Sequence, residues 1–144
     1  RIAYNEWIRP AFLDYSRQGI ICALVFLDAD NFKRLNDTFG HEYGDKVLQR
    51  IVAVLKEQCP EGGYVCRYGG DEFITFFPHA TPANTNEYVQ KVQELLGKER
   101  IEVSMGTKLT QPGDGESLDD YLALADERMY QQKQQRKEQS HDAQ

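Results

Sequence analysis

A chain of 144 residues, 40% hydrophobic and 28% charged, has the size of one globular domain with enough apolar material for a core. Its 23 acidic against 17 basic residues leave a formal charge of -6, which argues against a broad basic surface for nucleic acid. The three cysteines, Cys22, Cys59 and Cys66, form no C-x-x-C pair and suit a reducing, cytoplasmic setting better than a disulfide framework. No apolar run approaches the roughly 20 residues of a membrane span, so no membrane contact is expected of this domain. The chain opens on Arg1 rather than Met, without a signal peptide. Residues 1–144 are therefore expected to be one domain of a longer protein, whose sensor or membrane anchor would lie elsewhere.

From Asn5 to Gln18, Ile8, Phe12 and Tyr15 recur at helical spacing, with Pro10 either in the first turn or kinking the helix. "GIICALVFLD" is a nearly unbroken apolar run that predicts a central strand buried on both faces and ending in Asp28 and Asp30. "NFKRLNDTFG" predicts a short helix closed by Gly40, and "GDKVLQRIVAVLKEQ" a longer one with Val47, Leu48, Ile51, Val54 and Leu55 on one face. "YVCRY" and "EFITFF" flank Gly69 and Gly70 as a hairpin whose turn would use positive φ. A polar Thr, Pro and Asn loop then precedes the amphipathic helix "NEYVQKVQELLGK" and the strand "RIEVSMGTKL". After the loop "QPGDGES", Ser117 is a candidate N-cap for a last helix from Leu118 to about Gln135, with the end of the Gln- and Lys-rich tail expected to fray.

This order predicts an α/β chain of α+β sandwich type, with a central, mainly antiparallel sheet of ferredoxin-like or nucleotide-cyclase type flanked by helices. In the usual solution, the first and third strands lie adjacent and antiparallel. That would bring Asp28 and Asp30 beside Asp71 and Glu72. Like charges so gathered call for a cation between them, and hard carboxylates without nearby His or Cys favour Mg²⁺, or Mn²⁺, over zinc. The competing reading of either motif alone is a Gly-Gly turn or a solvated Asp-x-Asp loop.

"LDADNFKRLNDTFGHEYGDKVL", "RYGGDEF", "VSMG" and "ADERMYQQK" stand in the order and spacing of a GGDEF domain, the catalytic domain of diguanylate cyclases, which the chain resembles over nearly its whole length. The resemblance implies Mg²⁺-dependent condensation of two GTP molecules into cyclic di-GMP with release of pyrophosphate, each subunit of a transient homodimer presenting one GTP. It implies Asp28 and Asp71 as side-chain metal ligands, with the Ala29 carbonyl completing the set. Asp71 would also be the base for the ribose 3′-hydroxyl, with Glu72 beside it. Lys33 would stabilise the transition state, although by itself it reads as an exposed helix lysine, and amides near Asn31 and Phe32 would cradle phosphate. Phe32 reads on its own as core. Asn36 and Asp45 match the guanine-binding pair, with His41 between them as a possible substrate contact. In the last helix Lys133 matches a phosphate-binding lysine.

There are departures. The product-inhibition motif Arg-x-x-Asp is replaced by Pro60, Glu61, Gly62 and Gly63, so feedback inhibition of the usual kind is not expected. In the last helix, the arginine position holds Lys137, with Arg136 displaced by one, and a lysine offers charge without a bidentate fork. The opening Asp-x-Leu-Thr motif is missing and only Asn5 remains of the Asn-Arg pair. Three hypotheses stand: an active cyclase; a silent GGDEF domain acting as a GTP-binding or protein-interaction module; and a polymerase or cyclase of related fold, which the acidic charge and the guanine pair disfavour.

Overall fold

The structure, a computed structural model, describes residues 1–142. Four strands, β1 (Cys22–Ala29), β2 (Tyr64–Arg67), β3 (Glu72–Pro78) and β4 (Val103–Leu109), form one antiparallel sheet in the order β2-β3-β1-β4. Five α-helices flank it: α1 (Arg9–Arg17), α2 (Phe32–Phe39), α3 (His41–Gln58), α4 (Pro82–Lys98) and α5 (Leu118–Asp142). The expected neighbourhood of the first and third strands is present: Leu27 pairs with Phe73, and Asp28 with Glu72.

The unbroken apolar run of β1 has a direct cause. Ala23, Val25 and Leu27 face a core closed by Ile51, Val54 and Leu55 of α3 and Tyr88, Val92 and Leu96 of α4. Leu24 and Phe26 face a second core containing Ile8, Phe12, Tyr121, Leu122 and Met129. Because a strand alternates sides, burial on both faces demands apolar residues at every position. Apolar α5 side chains are only part of its seat on β4. A Cβ on Gly106 would collide with the Ala125 carbonyl and the Met129 amide, so helix and strand backbones meet there.

Several local expectations are corrected. The leading helix is not uniform: Tyr4–Ile8 is π-wound, the Arg9 N–H donating to the Tyr4 carbonyl, and Pro10 sits in the first turn of α1, where its missing N–H is tolerated. Helix α3 begins at His41 rather than Gly44, directly after Gly40 at φ 91°. The Thr-Pro-Asn stretch read as loop is the first turn of α4. Asn84 N–H donates to Thr81 Oγ1 at 3.1 Å, and Thr81 N–H donates to Asn84 Oδ1 at 2.8 Å. Neither Gly69 nor Gly70 has positive φ. Gly69 instead leaves room for the Glu72 carboxylate, against which a Cβ would press. Ser117 and Asp120 cap α5 reciprocally at 3.1 Å each way, as expected of Ser117. The helix then continues past Gln135 to Asp142, and the end of the tail, expected to fray, lies outside the described residues.

Candidate functional site

The site sits where β1 ends. Asp28 is the penultimate residue of β1, opposite Glu72 on one side and Ser104 on the other. Ala29 N–H donates to the Asp71 carbonyl at 3.2 Å, which ties the signature turn to β1. The turn is closed from outside by Arg67, whose Nε donates to the Gly69 and Gly70 carbonyls at 3.2 and 3.0 Å. Tyr68 N–H donates to the Glu72 carbonyl at 2.8 Å. Asp71 and Glu72 are thus carried on a turn fixed from both sides.

The electrostatics follow from crowding. Burial, and after it the neighbouring Asp71 carboxyl, lifts Asp28 to about 6 even though Lys133 pulls it down. Burial and the Asp28 charge also raise Glu72 and Asp126. Burial is the largest single influence on the Lys133 ammonium and works against it, yet its bond to Asp28 together with the charges of Asp28, Asp30 and Asp71 holds its pKa above the ordinary value. Lys133 Nζ donates to Asp28 Oδ2 at 2.7 Å. Asp28 Oδ1 is buried with no hydrogen-bond partner.

An orphaned carboxylate oxygen beside a second carboxyl and a strand-end carbonyl suits a hard divalent cation that keeps open positions for water and phosphate. Among the described residues no three His, Cys, Asp or Glu side chains form a preformed cage. An ion held by Asp28, Asp71 and the Ala29 carbonyl would need substrate and water oxygens to complete its shell.

The other expected residues spread around this centre. Asn31 takes a left-handed conformation, φ 55°, and α2 starts with no side chain capping its free amides. Phe32 is half-buried, packs against the core and lines a small cleft of about 110 Å³ with Ala29 and Asp30. Lys33 and His41 are exposed. Asn36 Oδ1 is buried without a partner and lies against Gly44, where a Cβ would strike it. Asp45, exposed on the next residue of α3, lines a cleft of about 360 Å³ with Leu48, Arg67 and Phe73. Lys137 is exposed and takes part in none of the ion pairs among the described residues.

Sequence reasoning missed three contributors. Arg136 rather than Lys137 meets the site, its Nη1 lying 3.1 Å from Asp30 Oδ2. Ser104 Oγ donates to Asp30 Oδ1 at 2.7 Å. Arg67 was visible only as part of "RYGGDEF", and nothing in that string shows its grip on the turn. Arg136 had a signal, its helical spacing from Lys133.

The family model described as "Diguanylate cyclase, GGDEF domain" matches residues 1–139. The probable diguanylate cyclase DgcI of Escherichia coli (strain K12) is 35% identical over 113 residues, 76% of this chain and 25% of that protein. Diguanylate cyclase VdcA of Vibrio cholerae is 31% identical over 121 residues, 77% of this chain and 36% of that protein. The chain thus spans about a quarter to a third of the length of these relatives. The crystal structure of the GGDEF domain of DgcB from Caulobacter crescentus in complex with c-di-GMP superposes with a TM-score of 0.85 at 27% identity, covering 93% of this chain and 84% of that one. No helix among the described residues is long and apolar enough to cross a membrane.

Proposed function

The chain belongs to the GGDEF family of diguanylate cyclase domains, and from that membership we propose that it condenses two GTP molecules into cyclic di-GMP across a homodimer, under the control of a regulatory domain elsewhere in the full protein. The observation that carries this reading is the Asp28 carboxylate at the end of β1, whose buried Oδ1 has no partner, with the Asp71 turn tied beside it by the Ala29 N–H bond to the Asp71 carbonyl.

In this reading Asp28, Asp71 and the Ala29 carbonyl hold Mg²⁺ or Mn²⁺. The bound cation would neutralise the triphosphate and lower the pKa of the attacking hydroxyl. Asn36 and Asp45 present an amide and a carboxylate to guanine, the carboxylate accepting from N1–H and the 2-amino group. His41 lies between them at the rim. The free amides at the start of α2, beside Phe32, receive phosphate oxygens, and Lys33 and Lys133 add charge. Asp71 takes the proton from the ribose 3′-hydroxyl, and Glu72 orients that hydroxyl. The 3′-oxygen bonds to the α-phosphorus of the GTP held by the partner subunit as pyrophosphate leaves. The same step in the opposite direction closes the ring.

The inhibitory Arg-x-x-Asp motif has no counterpart here. A Cβ on Gly63 would meet Cys59 Sγ at 2.6 Å and the Phe76 carbonyl at 2.9 Å, so an aspartate would not fit without rearrangement. The product is therefore not expected to inhibit through that position.

The test is to fuse the domain to a parallel coiled coil, supply GTP and Mg²⁺, and separate products by chromatography, with Asp71→Asn as control. Cyclic di-GMP from the wild type alone supports the reading. Mg²⁺-dependent GTP binding with no product would replace it by a silent nucleotide-binding module.

A further inference from the structure

The end of β1 carries two carboxylates, and α5 lays a cation on each. Lys133 Nζ is 2.7 Å from Asp28 Oδ2 and 4.0 Å from Asp30 Oδ1, while Arg136 Nη1 is 3.1 Å from Asp30 Oδ2. Residues three apart on a helix share a face, so one stretch of α5 delivers both charges. The two anchors differ. Asp30 is 8% exposed and gripped from the other side by Ser104, so Arg136 closes on a fixed partner. Asp28 has one oxygen under the Lys133 ammonium and the other with no partner at all.

A divalent cation drawn to the open oxygen of Asp28 would meet a positive charge already bonded to the same carboxylate. Two cations on one carboxylate repel each other strongly in a partly buried site. A lysine has a flexible stem and a compact charge, so it can give way. The helix that carries it cannot: α5 is seated against Gly106, and Gln132 Oε1 accepts from the Met105 N–H at 2.7 Å.

We propose that Lys133 is a tethered cation that competes with the divalent metal for Asp28, and that Arg136, clamped on Asp30, is the positioning residue that keeps it there. This rests on the reading of Asp28 and Asp71 as metal carboxylates. Metal alone must displace the ammonium into solvent. Metal arriving with a triphosphate gives the ammonium a new anion, so the two ligands bind better together than apart. In the free domain Lys133 offsets the repulsion between Asp28 and Asp71.

The experiment titrates Mn²⁺ into the nucleotide-free domain, reading free Mn²⁺ by electron paramagnetic resonance, for wild type, K133Q, R136Q, R136K and D28N. A second titration adds the α,β-methylene analogue of GTP at saturating Mn²⁺. K133Q should bind Mn²⁺ about fivefold more tightly and the analogue about fivefold more weakly, opposite signs that simple loss of a phosphate ligand would not give. R136Q should tighten Mn²⁺ about twofold, and R136K should restore the wild-type value. D28N should lose the Mn²⁺ site. If K133Q binds Mn²⁺ no more tightly than wild type, the competition is refuted. If R136Q matches wild type, Arg136 has no positioning role. Should D28N alone lose Mn²⁺ while K133Q is unchanged, the metal reading stands and only the competition falls. If no variant and not the wild type binds Mn²⁺, both fall.

Discussion

Where β1 begins, backbone and side chain close on each other. Cys22 N–H donates to Thr110 Oγ1 at 2.9 Å, Thr110 N–H returns to the Cys22 carbonyl at 2.8 Å, and Ala80 N–H donates to the Ile21 carbonyl at 3.0 Å. Where the same strand ends, Asp28 keeps a buried oxygen with no partner and faces a second carboxyl. The first end is what stability alone would select, because buried polar groups cost free energy unless paired. The second is costly by the same rule, and the closed end and two cores offset it. Unmet demand at one end of a well-satisfied sheet is what the proposed ligand site would leave in the free domain.

The sharpest way to break this contrast is to change one residue at each end. Asp71→Asn removes a charge from the open end. Turnover should fall by about a thousandfold or more, while the melting temperature stays level or rises as repulsion with Asp28 is relieved. A variant with wild-type turnover and unchanged Mg²⁺ dependence would sink the assignment of Asp71. Phe77→Ala, on the buried stretch of β3 opposite Ala23 and against Tyr88, should cost about 3–5 kcal/mol in urea unfolding. Its turnover per folded molecule should hardly change. A large loss of turnover with intact stability would mean that the two ends are not separable in this way. A smaller effect is expected of Asp45→Ala, which should raise the Michaelis constant for GTP by roughly tenfold and narrow the preference for GTP over ATP. Unchanged discrimination between the two nucleotides would remove Asp45 from the base pocket.

The closed parts of the molecule were the legible ones. The β1 run showed its double burial because both faces pack on helices, and the periodicity of α3 showed its single buried face. Asp28 and Asp71 could be brought together from element order because an antiparallel neighbour strand fixes which ends meet. What could not be read depends on how elements seat. Arg136 and Lys137 are adjacent, and which of them reaches Asp30 is set by the rotation of α5 on Gly106, a tertiary fact. The first turn of α4 was hidden because Thr81 and Asn84 are residues of loops and of caps alike, and only their reciprocal bonds decide. The signature glycines suggested a turn with positive φ, whereas Gly69 is there to make room for Glu72.

The smallest expected effect lies between the two ends, where the leading segment joins α5. Arg9 Nη2 donates to Asp119 Oδ1 at 2.8 Å, and the Tyr4 hydroxyl donates to the same oxygen at 3.0 Å. The Arg9 bond holds the Asp119 carboxyl below its ordinary value. A carboxyl whose folded pKa is depressed contributes stability above its unfolded pKa and loses it as pH falls through the folded one. The Asp119 side chain is 63% exposed, so solvent screens the pair and Asp119→Asn should cost only about 0.5–1 kcal/mol at pH 6. The gap between wild type and variant should shrink as pH drops below about 4 and close once the pH has fallen through the depressed folded value as well. Added salt at pH 6 should narrow it too. Tyr4 also packs edge-on against Tyr68, the residue before the signature glycines, with ring centroids 5.5 Å apart. If the Asp119 pair is only a surface staple, Asp119→Asn leaves turnover unchanged. A drop in turnover at pH 6 that vanishes with the stability gap would show instead that the leading segment steadies the open end of the sheet through Tyr4 and Tyr68.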